Sequence, residues 1–136
     1  TSVVAGTIGI FVGCSYTDPS TSQLTFNQTF PADTAASDIM AYVVDDPKLV
    51  FQMQGDEAIA QTGLGNNVSA VSTAGSTTIG RSKNALDGGS IATTNTLPLR
   101  IVEFVDGPTS SVGDTYTDCL VTYLPLSHAY ETKLGV

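Results

Sequence analysis

The residues that could do chemistry in this chain are few and far apart. His128 is the only histidine, and no second histidine stands near a glutamate or cysteine at metal-ligand spacing, so no zinc site is predicted. Asp45 and Asp46 are adjacent, so their carboxylates point apart in a turn or an extended segment. No series of oxygen ligands at alternate positions accompanies them. We therefore predict that this acidic pair belongs to a turn and that the chain has no metal.

The chain also lacks the local motifs of nucleophilic and phosphate chemistry. A Ser-His-Asp triad can be assembled from distant residues, but there is no Gly-x-Ser-x-Gly elbow, and His128 lies in a tail without periodicity. Gly63-Leu64-Gly65 and Gly88-Gly89 are not followed by a Lys-Ser or Lys-Thr pair or by a helical pattern. These patterns predict a protein that is not an enzyme and has no cofactor.

Composition excludes several classes of partner. Only 13% of the 136 residues are charged, about half of the roughly 25% typical of globular proteins. The net charge is −8, from 13 acidic and 5 basic residues, and the basic residues are scattered. Nucleic acids and anionic membranes are both bound by clustered Lys and Arg. We therefore expect neither as a partner, and no apolar run approaches the length of a membrane span.

The two cysteines leave two alternatives. Cys14 and Cys119 lie far apart in candidate strands, which fits neither a zinc knuckle nor a Cys-x-x-Cys redox pair. Free cysteine behaves as a small buried apolar residue, and we favour the prediction that both cysteines are of this kind. A disulfide between two neighbouring strands is the alternative.

The elements that must position these residues are predicted to be strands. Runs at 8–16, 24–30, 39–44 and 49–54 alternate or are apolar, and each ends at a Gly, Pro, Asp or Ser cluster. The first two runs should form one hairpin, and the next two a second hairpin around Asp45-Asp46-Pro47-Lys48. Later strands are expected near 68–73, 97–105 and 119–124, with a helical turn near 82–86. The chain is thus predicted to be a single all-β domain over residues 1–136, a small antiparallel barrel or sandwich with extended arms.

The same alternation predicts which residues are buried. The apolar positions of the strand-like runs that share one face are expected to form the core: Ile8, Ile10, Val12, Leu24, Phe26, Val43, Phe51, Ile101, Phe104 and Val121.

Three stretches hold apolar side chains without a period that would bury them in their own domain. They are residues 3–7, 55–90 and 126–136, the last being predicted as a C-terminal arm. Because the chain begins with Thr1 in an apolar stretch, a missing upstream segment is also expected. The predicted contacts to other subunits come from these stretches: Val3, Val4, Leu64, Ile79, Leu126, His128, Tyr130 and Leu134.

Several short motifs together resemble a family of tailed-bacteriophage virion proteins. They are Phe11-Val12-Gly13-Cys14-Ser15-Tyr16-Thr17-Asp18, Ala41-Tyr42-Val43-Val44-Asp45-Asp46-Pro47, Phe51-Gln52-Met53-Gln54, Gly80-Arg81-Ser82 with Leu86-Asp87, and Leu97-Pro98-Leu99-Arg100-Ile101-Val102. The resemblance runs from about residue 8 to residue 128. The tail Leu124-Pro125-Leu126-Ser127-His128 departs from the more polar run expected around the histidine.

That resemblance implies a head decoration, or cement, protein encoded beside the major capsid protein. Its partners would be the major capsid protein and further copies of itself, as a dimer or trimer on the shell. It would be assembled in the host cytoplasm and located on the outer surface of the virion head. The competing expectation is a tail, fibre or spike β module that binds host glycans.

Overall fold

Eight β-strands and one short 3-10 turn make up the regular structure of the described residues. The structure, a computed structural model, describes residues 6–76 and 78–131. The strands are β1 Ile10–Thr17, β2 Leu24–Asn27, β3 Met40–Val44, β4 Val50–Gln54, β5 Asn67–Val71, β6 Ala85–Ala92, β7 Leu99–Phe104 and β8 Asp118–Tyr123, and the 3-10 turn is Gln61–Gly63. The all-β prediction is confirmed.

The strands form two antiparallel sheets. The small sheet has three strands in the order β2-β1-β3, and the large sheet has five in the order β4-β8-β7-β5-β6. Both sheets have free edge strands, so neither closes into a barrel. The predicted hairpin of β1 and β2 is confirmed, since Cys14 pairs with Asn27 and Thr17 pairs with Leu24.

The predicted second hairpin, between β3 and β4, is wrong. The turn between them forms, because the backbone N–H groups of Lys48 and Leu49 both donate to Asp46. The two strands nevertheless enter different sheets, β3 pairing with β1 and β4 with β8. Phe51 and Met53 of β4 lie opposite Val121 and Cys119 of β8, so pairing with β8 places them against the core.

The hydrophobic core cluster is formed by the large sheet and by Ile59 from the segment that follows β4. Its fully or nearly fully buried members are Ile59, Val68, Leu86, Leu99, Ile101, Cys119, Val121 and Tyr123. In β8 the side chains at 119, 121 and 123 are buried while those between them are partly exposed, as expected for a half-buried strand. None of the core members comes from β1, β2 or β3.

The predicted core residues divide according to sheet. Ile101 and Val121 are buried, and Phe51 and Phe104 pack against them, so these predictions are confirmed. Ile10 is only half-buried. Five predictions are wrong because the side chains are exposed: Ile8, Val12, Leu24, Phe26 and Val43. All five lie in the small sheet or in the segment leading into it, where the alternating pattern is present but the described chain supplies no covering layer.

The stretch from 55 to 90, predicted as an arm, is instead part of the folded body. Strand β5 confirms the strand expected near 68–73, but the helical turn expected near 82–86 is wrong, because β6 begins at Ala85 and pairs there with Val71. Ile59 is inserted into the core, where its backbone N–H donates to the buried Thr117 hydroxyl at 3.0 Å. The segment from 55 to 66 thus covers the large sheet and takes the place of a second sheet.

The two cysteines are free and buried, in different sheets. Cys14 lies in β1 and Cys119 in β8, so the disulfide alternative is wrong and the reading as buried apolar residues is confirmed. Burial, reinforced by the charge of Asp118, raises the pKa of the Cys119 thiol to about 11. Cys119 is therefore an unreactive core residue in the folded chain.

Candidate functional site

One face of the small sheet carries large apolar side chains that no segment within residues 6–76 and 78–131 covers. Ser15 of β1 lies opposite Phe26 of β2 and Met40 of β3, and directly paired residues share a face. The same registers place Thr17 beside Leu24 and Gly13 beside Tyr42. We call this surface the open face, and its apolar side chains are Ile10, Leu24, Phe26, Met40, Tyr42 and Val44.

The exposure of the open face is unusual for such side chains. Leu24 is 64% exposed, Phe26 68% and Met40 62%, while Tyr42 and Val44 are also exposed. Scattered exposed apolar residues are normal on a protein surface, but a contiguous patch of this kind marks a site of interaction. The β1, β2 and β3 positions of this face are all uncharged.

The floor of the open face is flat at its centre. Gly13 and Ser15 are buried, and the Ser15 hydroxyl lies 2.9 Å from the Tyr42 hydroxyl in a hydrogen bond. A Cβ at Gly13 would lie 3.1 Å from the carbonyl oxygen of Asn27, so glycine permits close approach of the neighbouring strand. The result is a shallow depression of about 220 Å³, lined by Gly13, Cys14, Phe26, Asn27, Gln28 and Tyr42.

The opposite face of the small sheet is partly covered by the chain itself. Tyr16 is buried and its ring packs edge-on against Phe30, with centroids 6.0 Å apart. Cys14 is also buried, and its sulfur lies 3.8 Å from the carbonyl oxygen of Thr29. The segment that follows β2 therefore returns over this side of the sheet and leaves the open face bare.

Two aspartates fix the end of the small sheet where β1 meets its neighbours. The Asp38 carboxylate accepts hydrogen bonds from the Thr17 hydroxyl and backbone N–H, and these bonds lower the pKa of Asp38. In the turn that joins β1 to β2, the Asp18 carboxylate accepts from the hydroxyl and N–H of Ser20, which lowers the pKa of Asp18. Both carboxylates are thus anionic turn acceptors at neutral pH.

The small sheet is joined to the large one through the two ends of the described chain. The N–H groups of Gly6 and Thr7 donate to the carbonyl of Ser127, and the N–H of Ala129 donates to the carbonyl of Thr7. The Tyr130 hydroxyl also donates to Asp45, just after β3, at 2.9 Å, and this bond with the Asp45 charge raises the pKa of Tyr130. Residues 126–131 therefore fold back onto the body, contrary to the predicted arm, whose remainder lies outside the described residues.

His128 is not available as a contact residue, which corrects its prediction. Its side chain is 0% exposed, and its ring packs between Tyr123 and Tyr130 with centroids 5.4 and 5.3 Å away. Nδ1 accepts from the backbone N–H of Tyr130, while Nε2 has no hydrogen-bond partner within the described chain. The ring fills space beneath the tail.

The other predicted contact residues are dispersed. Leu64, Ile79, Leu126 and Tyr130 are all exposed, and none of them lies on the open face. Leu64 follows the 3-10 turn, Ile79 lies between β5 and β6, and Leu126 follows β8. Val3, Val4 and Leu134 lie outside the described residues. The structure therefore does not bring the predicted contact residues together as one surface.

Ile10, Leu24 and Phe26 were missed as contacts because their alternation predicted a core. Met40, Tyr42 and Val44 were predicted neither as core nor as contacts. A signal was present in β3, whose sequence Met40-Ala41-Tyr42-Val43-Val44 is apolar at every position. Such a run is expected for a strand buried on both faces, yet β3 is an edge strand exposed along its whole length. The composition of β3 is therefore that of a doubly buried strand, although each of its five residues is exposed in the described chain.

Across the described residues, no three His, Cys, Asp or Glu side chains are grouped so that they could hold a metal ion. No helix within the same ranges has the length and apolar character needed to cross a membrane. Comparison with known protein families, curated proteins and solved structures finds no match to this chain.

Proposed function

We propose that this chain is a structural, non-catalytic decoration protein that binds the outer surface of a tailed-bacteriophage head and stabilises the lattice of the major capsid protein. The observation that carries the proposal is the open face. Its six apolar side chains are arranged as a core would be, and no part of the described chain covers them. Such a protein buries its remaining apolar face when it binds other subunits.

The character of the rest of the chain supports a role in assembly. The only histidine is fully buried between tyrosines, where no solute can reach it. The polar side chains within the open face are the hydroxyls of Ser15 and Thr17, which suit neutral contacts between protein surfaces. Since decoration proteins act by adding contacts across a shell, many weak sites on a symmetric lattice give a strong total attachment.

The sequence motifs that resemble a phage decoration family support the proposal through their position in the fold. Two of these runs fall on the small sheet. The run Phe11 to Asp18 includes most of β1, and the run Ala41 to Pro47 includes most of β3. These are two of the three strands that form the open face. The segments that carry the resemblance are thus also the segments that build the candidate site.

The test is the location of the protein on intact particles of the phage that encodes it. Antibody labelling seen by electron microscopy is expected to place copies over the whole head. A shell assembled from the major capsid protein alone should bind the purified chain in a fixed ratio. Label confined to the tail would favour the glycan-binding fibre module and refute the proposal, and so would a failure to bind such shells.

A further inference from the structure

We propose that the open face is occupied by the same face of a second copy of this chain, so that two small sheets stack as a two-fold symmetric dimer. The inference rests on the proposed function in taking the open face as a site of assembly, and it names the partner. Two stacked sheets bury their facing side chains in a layer about 10 Å thick. The apolar side chains that alternate along these strands would then be buried between the two copies.

Charge favours this partner. The chain carries −8, so two copies repel each other over most of their surfaces. The open face adds nothing to this repulsion, because its strand positions carry no charge. A basic partner would be recognised by carboxylates within the face, and there are none. Asp18, Asp38 and Asp45 lie at the ends of its strands, so copies that meet here repel only at the rim, and salt should strengthen the association.

The area is sufficient for a dimer. Aromatic side chains bury about 150–250 Å² each and aliphatic ones somewhat less. On the open face the exposed fraction runs from 38% for Val44 to 68% for Phe26, and Ile10 is half-buried. The six together offer roughly 500 Å² per copy, or roughly 1,000 Å² for a dimer, which reaches the lower limit of specific interfaces. A reversible dimer is therefore expected in solution, strengthened by attachment to a shell.

The shape of the face is self-complementary. Phe26 is its most exposed side chain, and the depression of about 220 Å³ beside it is floored by Gly13. A two-fold axis requires that each projection meet a hollow of the other copy. Phe26 of one copy can enter the depression of the other, and the reciprocal contact follows from the symmetry. Buried aromatic side chains of this kind commonly dominate an interface.

Sedimentation of the purified 136-residue chain over a range of concentrations tests the inference. The wild-type chain is expected to dimerise reversibly, and more tightly as salt is raised. Phe26→Asp buries two unpaired charges in the dimer and should raise its dissociation constant by at least about 100-fold. The matched control is Tyr116→Asp, since Tyr116 is 58% exposed in the loop before β8 and should leave the dissociation constant unchanged.

The outcomes separate this inference from the proposed function. Circular dichroism of dilute Phe26→Asp should match the wild type, because Phe26 is 68% exposed. A wild-type chain that stays monomeric at high concentration, or a dimer that survives Phe26→Asp and not Tyr116→Asp, overturns the inference. If the monomeric chain still binds shells of the capsid protein, the proposed function stands and the shell covers the open face. If the chain dimerises and binds no shell, the inference stands and the function fails.

Discussion

Leu99 and Leu24 allow the same substitution to be made on the covered and the uncovered sheet. Leu99 of β7 is 0% exposed within the core, whereas Leu24 of β2 is 64% exposed on the open face. Leucine to alanine removes three carbon atoms, each contributing about 0.8 kcal/mol when buried, and in a packed core it also leaves a cavity. Leu99→Ala should therefore lower the free energy of unfolding by about 3 kcal/mol.

Leu24→Ala should cost about 1 kcal/mol or less, because only a third of its side chain leaves water and solvent fills the space. The assay is urea unfolding followed by circular dichroism, at a concentration low enough to keep the chain monomeric. At high concentration the effect of Leu24→Ala should grow, since the dimer then adds to stability. Equal losses for both variants in the dilute chain would refute the reasoning, because the small sheet would then be packed within its own chain.

Three further variants test the contacts that hold the fold. Thr117→Val removes the hydroxyl that accepts the hydrogen bond from the buried Ile59 N–H. It should lower the free energy of unfolding in urea by about 1–3 kcal/mol, which is more than Thr117→Ser should cost. An unchanged free energy of unfolding for Thr117→Val would contradict this prediction. The hydrogen bonds from Thr17 lower the pKa of Asp38 in the folded chain. The ionised carboxylate therefore adds to folding stability above the unfolded pKa near 3.8. This added stability is lost as pH falls through the lower folded pKa. Asp38→Asn should remove this part of the acid sensitivity, and an unchanged acid profile would refute the assignment. His128→Phe keeps the ring packing but loses both the unpartnered Nε2 and the Nδ1 that accepts from the backbone N–H of the exposed Tyr130. It should therefore lower stability by about 1 kcal/mol, against about 3 kcal/mol lost in His128→Ala. Equal losses would show that the polar atoms of the ring matter more than its packing.

Local patterns in the sequence predicted seven of the eight strands of the described chain and missed β6. The hairpin of β1 and β2 followed from alternation and the Asp18-Pro19 turn, and the core positions in β4, β7 and β8 followed from their periodicity. The predicted pairing of β3 with β4 was wrong, because a favourable turn determines only that the chain reverses its direction. Which strand each partner then joins depends on distant residues such as Val121, which no local signal encodes.

Burial was the harder prediction. Alternation shows which side chains share a face, and it does so correctly for Leu24 and Phe26. It cannot show whether the layer covering that face belongs to the same chain. Conversely, Ile59 and Leu86 lie in a Gly- and Ser-rich stretch without a period, and they are buried through single insertions that periodicity does not register.

Oxidation of the two methionines tests most directly whether the open face is covered in the virion. Met40 is 62% exposed on that face, and Met53 is half-buried against the core, so Met53 is an internal control. Hydrogen peroxide oxidation, read by mass spectrometry, follows side-chain exposure. In intact particles Met40 should be oxidised at least about tenfold more slowly than in the dilute free chain, while Met53 reacts equally in both. Equal oxidation of Met40 in particles and in the free chain would contradict the account.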